Sequence, residues 1–287
     1  MKVTGVALPF LPSCRRLLPS RLAGLSVALL KATALEIAIL AGHLLLYPSG
    51  ITQERRVPAP ALPPDGAAQL PREAKPPVVL LHGFIDNRSV FVLLRRSLAQ
   101  HGRQQIESLN YSPLTCDIRA AAESFGRHIE EVCERTGAEQ VDVVGHSLGG
   151  LIARYYVQRL GGDARVRTLV TLGTPHSGTR VAPLADAHPI VRQMRPGSPV
   201  LEELTRPAPG CRTHFVGFWS DLDTVMDPVE TARIDHPDLT AQNVRVTGIG
   251  HLALPVHPTV ANGIRQVLDT ARAGEPSAGR ADGLTVA

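Results

Sequence analysis

The 287-residue chain is 44% hydrophobic and 20% charged, which suits a globular α/β domain with an appendage and excludes a disordered or fibrous protein. Its formal charge of +4 comes from basic residues scattered along the chain, with no aromatic-rich basic stripe, so no nucleic-acid partner is expected. Four cysteines without any Cys/His spacing point to no metal site; a Cys133–Cys211 bridge is conceivable, and free thiols fit the pattern better.

Residues 1–47 read as a basic N-terminus followed by a hydrophobic helix. Lys2, Arg15, Arg16 and Arg21 precede an apolar stretch from Leu22 to Tyr47, long enough to cross a hydrocarbon core of about 30 Å. Lys31, Glu36 and His43 interrupt that stretch at angles that do not share one helix face, and a charge at bilayer depth costs about 2.5–3.5 kcal/mol. Three readings stay open: an uncleaved anchor, a signal peptide cleaved near Ala32-Thr33-Ala34, and a helix that never enters lipid. The anchor is favoured because the apolar run continues through Leu46, which a cleaved N-terminus would rarely want. Membrane association through residues 22–47 is therefore expected, with the remainder of the chain outside the cell membrane or secreted.

Residues 48–77 contain Pro58, Pro60, Pro63, Pro64, Pro71, Pro76 and Pro77 without an apolar period, and are expected to form an extended linker. Across residues 78–273, strand-like runs alternate with helical patterns. Val78–Leu81 precedes a helix at about Arg88–Gln100, and Gln105–Leu109 precedes one at Asp117–Arg135. Strands at Val141–Val144, Val166–Leu172, Thr213–Phe218 and Val244–Thr247 follow, then a helix at about Pro258–Ala273. This alternation predicts an α/β fold: a mostly parallel sheet with helices on both faces, and ligands at the carboxyl ends of its strands. Residues 274–287 are small and polar and are expected to be disordered.

The chemistry is concentrated at Gly145-His146-Ser147-Leu148-Gly149, where an apolar strand runs into Gly-x-Ser-x-Gly and then into a helical pattern. Such an abrupt strand-to-helix turn strains the serine backbone, and the two glycines remove side chains that would clash. Ser147 is the expected nucleophile. It needs a histidine base, and that histidine needs an acid to fix its tautomer. His251, in Gly248-Ile249-Gly250-His251 just past the last strand, is the expected base. His82 and His146 beside motif glycines read as structural, and His101, His128, His188, His236 and His257 as surface residues. The acid is sought among Asp221, Asp223 and Asp227 after the preceding strand, with Asp223 favoured by its spacing to Pro228. Two backbone N–H donors for an oxyanion are expected from Leu148, at the start of the elbow helix, and Phe84, after His82-Gly83.

From about Pro77 to Ala273 the chain resembles the lipase and esterase branch of the α/β-hydrolases, especially bacterial triacylglycerol lipases and inositol-deacylase-like hydrolases. The resemblance rests on Val78-Val79-Leu80-Leu81-His82-Gly83-Phe84, Gly145–Gly150, Gly173-Thr174-Pro175-His176-Ser177-Gly178-Thr179 and the Asp223 and His251 loops. It implies a serine carboxylester hydrolase for lipid-like esters, with Ser147, Asp223 and His251 as triad, Phe84 as an oxyanion donor and no cofactor or metal. The proline-rich span Arg180–Cys211 allows at most a small cap, which disfavours interfacial activation by a large lid. An acyltransferase with the same triad is an open alternative, and a membrane-tethered binding protein without catalysis is a weaker one.

Overall fold

The structure is a computed structural model in which residues 20–51, 75–84, 86–111, 117–180, 188–270 and 284–286 are described. Its frame is a parallel sheet of β1 (Val78–Leu81), β2 (Ile106–Leu109), β3 (Val141–His146), β4 (Val166–Leu172), β5 (His214–Ser220), β6 (Thr240–Val246) and β7 (Leu284–Val286). The spatial order is β2-β1-β3-β4-β5-β6-β7. Every pairing is parallel, as the alternating pattern predicts. Within the tail expected to be disordered, residues 284–286 pair with β6; residues 271–283 lie outside the described set.

Side chains along the strands alternate between two cores. Val79, Leu81, Val143 and Leu169 face α3 (Ile118–Thr136) and α4 (Leu148–Arg159). Val78, Leu80, Val144 and Val170 face α2 (Val92–Gln100) and α7 (Pro258–Thr270). The interior strand β3 is buried at all six positions, so its aspartate needs partners. Asp142 accepts from Arg103 at 2.9 Å and from Arg167 at 2.9 and 2.7 Å. Both arginines also donate to the Leu268 carbonyl, so the cluster ties α7 to the sheet.

Between β4 and β5 the described residues hold two short helices, α5 (Pro189–Gln193) and α6 (Pro199–Thr205), consistent with a small cap. Residues 181–187 lie outside the described set. The Glu203 carboxylate of α6 accepts from Arg119 at 2.6 Å and from the Tyr155 hydroxyl at 2.6 Å. Buried Arg154 donates from α4 to the Leu204 and His176 carbonyls. His236, expected at the surface, is buried: its ring meets the Arg206 carbonyl at 3.0 Å and so braces the end of α6.

The N-terminal helix α1 spans Ser20–Gly50, and Leu29–Gly50 is long and apolar enough to cross a membrane. Glu36 and His43 are seven residues apart, close to two helical turns, and therefore do share a face; Lys31 lies off it. Buried Ala32, half-buried Glu36, Ile39 and His43, and buried Gly50 form one stripe against the α/β domain. Leu30, Ile37, Leu44 and Leu45 point outward and are exposed. The helix also runs three residues past the expected boundary at Tyr47, and residues 52–74, most of the expected linker, lie outside the described set.

Candidate active site

Ser147 sits between β3 and α4 with φ 52° and ψ −123°, the one positive φ at a non-glycine among the described residues. That conformation costs about 1–3 kcal/mol and persists where the surroundings over-determine it. Here the Ser147 N–H donates to the Leu172 carbonyl at 2.9 Å, and the Thr174 hydroxyl donates to the Ser147 carbonyl at 3.0 Å. The flanking glycines are sterically required. A Cβ on Gly145 would lie 2.5 Å from the Gly150 Cα, and one on Gly149 would lie 2.2 Å from the Leu81 carbonyl oxygen. Leu148 begins α4, so its N–H belongs to the unsatisfied first turn at the positive end of the helix dipole.

Of the three candidate acids, the fold brings Asp223 to His251. Asp223 Oδ2 is 2.7 Å from His251 Nδ1, while Oδ1 accepts the backbone N–H groups of Val225 and Met226 at 2.9 and 3.1 Å. Asp221 instead pairs with exposed Arg245; the Asp227 carbonyl accepts from the Arg180 N–H. Burial works against an ionised Asp223, but His251 and the two backbone donors outweigh it and hold the carboxyl below its ordinary value. Burial likewise opposes protonation of His251; the Asp223 carboxylate, helped by Glu36 and Asp86, overcomes it and raises the imidazole above 6.5. With Nδ1–H committed to Asp223, Nε2 is the basic nitrogen.

The loop after β1 approaches Ser147 closely. A Cβ on Gly83 would lie 3.4 Å from the Ser147 Cβ and 3.3 Å from His146 Nδ1. Phe84 follows, half-buried, its ring edge-on to His188 at 4.9 Å between centroids. Tyr111, at the end of β2, holds this loop: its hydroxyl reaches the His82 and Gly83 carbonyls at 2.9 and 2.8 Å, and its ring stacks on His82. Gly173, with φ 52°, lets the β4 loop pass the pair, since a Cβ there would sit 2.9 Å from His251 Nδ1. In the following Thr174-Pro175-His176 segment, His176 is buried against the Thr171 hydroxyl, and burial beside Arg154 keeps it neutral.

Several residues at the site escape sequence reasoning. His146, expected to be structural, is buried with its ring 4.7 Å from that of His251 and its Nε2 3.3 Å from the His251 carbonyl. Asp86 lies 3.5 Å from His146 and 3.9 Å from His43 of α1. Burial opposes its ionisation, yet His146 holds its carboxyl below the ordinary value. Glu36 of α1 accepts from the N–H groups of Leu252 and Ala253, immediately after His251. The signal for Glu36 and His43 was available in their spacing of seven; Tyr111 carries none.

Residues 76–204 match the family described as the alpha/beta hydrolase fold. Triacylglycerol lipases from Pseudarthrobacter phenanthrenivorans and Burkholderia plantarii are each 30% identical over 114 residues, 37% of this chain. The chain spans about a third of the length of these curated relatives, 35% and 31%. Among solved structures, the mature lipase of Bacillus licheniformis has a TM-score of 0.58 at 16% identity, covering 70% of this chain and 94% of its own. Aspergillus fumigatus lipase B has the same score and identity, covering 82% and 71%. At such identities these two speak to the fold alone, and it is the one described above: a parallel sheet covered by helices, as in the alpha/beta hydrolase fold whose family model matches residues 76–204.

Proposed function

We propose that this protein is a serine carboxylester hydrolase of the lipase and esterase type, acting on lipid-like esters. The observation that carries the reading is the buried Asp223–His251 pair, taken with the strained turn at Ser147. Ser147 Oγ attacks the ester carbonyl carbon while His251 Nε2 takes its proton, and Asp223 stabilises the imidazolium. The tetrahedral oxyanion is received by the N–H groups of Phe84 and Leu148. Collapse breaks the bond to the alcohol, which leaves with the proton from His251. Water, deprotonated by the same nitrogen, then resolves the acyl-enzyme and frees the acid and Ser147. Triacylglycerol lipases as relatives support a lipid ester as substrate.

Membrane association through residues 22–47 belongs to the same proposal. Its support is the row of exposed apolar side chains on α1, including Leu30, Ile37, Leu44 and Leu45, with exposed Val92 and Leu93 of the neighbouring α2. Because the opposite stripe is engaged with the catalytic domain, α1 meets lipid with its outer side and keeps the domain at the membrane surface, outside the cell. Retention in the membrane fraction after a high-salt wash is expected; recovery in the soluble fraction would contradict it.

The activity is tested by comparing hydrolysis of p-nitrophenyl butyrate and palmitate by the full chain and by Ser147→Ala. Loss of hydrolysis in the variant is expected, and the ratio of the two rates separates esterase from lipase. Acyl products that form only when an acceptor alcohol is added would instead indicate a transferase.

A further inference from the structure

The turn that carries His251 is not held by the hydrolase domain alone. Beyond the base, the chain enters a helical turn in which the His257 N–H donates to the Ala253 carbonyl, just ahead of α7. The first N–H groups of such a turn have no partner within it and need a cap. Leu252 and Ala253 supply those groups, and both donate to one carboxylate, that of Glu36: Oε2 accepts from Leu252 and Oε1 from Ala253, each at 2.9 Å. Glu36 lies 216 residues away from Leu252 in sequence, on α1.

The approach is close enough to restrict the sequence. A Cβ on Gly250 would lie 2.5 Å from the Glu36 Cδ and 2.7 Å from its Cγ. The contact is one of several along the same stripe. The Asn87 side chain donates to the Tyr47 carbonyl at 2.9 Å, and the Arg88 guanidinium donates to the Ser49 carbonyl at 2.9 Å. The Asn110 amide donates to the Gly50 carbonyl at 2.6 Å.

We infer that Glu36 is a positioning residue for the reaction proposed above, capping the turn after His251 so that α1, docked on the domain, holds the base toward Ser147. The inference rests on that proposed function. It makes α1 part of the catalytic apparatus and ties the activity of the site to the docked state of the apolar helix. While Glu36 holds this turn it stays with the catalytic domain, so this stretch of α1 and the His251 loop keep one depth relative to a membrane.

The test is the second-order rate at which a fluorophosphonate labels the full-length protein. Ser147 Oγ forms a bond to phosphorus, fluoride leaves, and His251 takes the serine proton, so the rate reports how well the base is aimed without reference to any natural substrate. Glu36→Ala is expected to slow labelling about 10- to 100-fold, the scale set by misplacing a reacting group by about 1 Å. Glu36→Gln, whose amide oxygen still accepts one N–H, should recover part of that loss.

Gly250→Ala displaces the carboxylate without altering it and should slow labelling comparably. Combining it with Glu36→Ala should slow labelling no further than the worse single variant, since both break one contact. A second readout is the pH profile. His251 faces Asp223 from the β5 loop, His146 from β3, Asp86 from the β1 loop and Glu36 from α1, and loss of one carboxylate among them should move the acidic limb to lower pH.

Labelling of a folded Glu36→Ala within twofold of wild type, with an unmoved limb, would overturn the inference. Should that variant melt early, Glu36→Gln and Gly250→Ala decide in the same way. A wild-type chain that takes no label refutes the proposed function itself; a wild type that labels, with variants equal to it, refutes this inference alone.

Discussion

His251 Nδ1 and Asp223 Oδ2 lie 2.7 Å apart with both side chains buried. The carboxylate cannot find water in place of the imidazole, and the imidazole cannot turn its other nitrogen inward without stranding the carboxylate. Asp223→Asn is expected to lower kcat/KM about 10³- to 10⁴-fold by favouring the wrong tautomer, with KM little changed. Asp221→Asn, which breaks an exposed pair with Arg245, should leave activity within about twofold. Steady-state kinetics on p-nitrophenyl butyrate distinguishes the two.

The pair also fixes the pH dependence. His251 must be neutral to act as a base, and its neighbours raise it above the ordinary 6.5. Activity should therefore rise with pH along a limb centred above 6.5. Asp223→Asn removes the leading carboxylate that opposes burial, so its residual activity should show a limb at lower pH. A wild-type limb below 6.5 would show that the interaction with Asp223 does not prevail over burial.

Ser147 carries the cost of the elbow in its positive φ. Glycine accepts that conformation without penalty, so Ser147→Gly should abolish hydrolysis yet stabilise the protein by about 1 kcal/mol, or roughly 2–4 °C in Tm. Ser147→Ala should be equally inactive with no such gain. Thermal melts of the three proteins check this.

Tyr111 holds the carbonyls of His82 and Gly83 with one hydroxyl. Tyr111→Phe keeps the stacked ring and loosens the loop that presents Phe84, and is expected to lower kcat about tenfold while KM stays within twofold. A proportional rise in KM would point to substrate binding instead.

Asp142 is far from this chemistry and matters for stability. Asp142→Asn would leave Arg103, itself buried, and the neighbouring Arg167 without their shared carboxylate. A loss of about 3–5 kcal/mol is expected, read by urea denaturation, with the labelling rate of the folded fraction unchanged.

How far the sequence carried depended on what each residue had to do. Val78–Leu81 and Val166–Leu172 are observed at their expected bounds because buried strands announce themselves as apolar runs. Strand β6 begins four residues before its expected start at Val244, since Thr240–Asn243 are exposed or half-buried, carry no large apolar side chain and become a strand by pairing with β5. The positions of Ser147, Asp223 and His251 follow from local rules of strand ends and elbows. Glu36 does not, because its partners are two backbone N–H groups more than 200 residues away and no local pattern encodes them. A charge within an apolar stretch disturbs an anchor, whereas the spacing of Glu36 to His43 marks a docking face.

The proposed reaction depends most directly on Ser147. Intact-mass analysis of the full chain after fluorophosphonate treatment, with peptide mapping of the adduct, should find one label per molecule, on Ser147. The label should be absent in Ser147→Ala and slowed at least a hundredfold in His251→Ala. No adduct on the wild type, or an adduct that persists in Ser147→Ala, would contradict a serine hydrolase built on this triad.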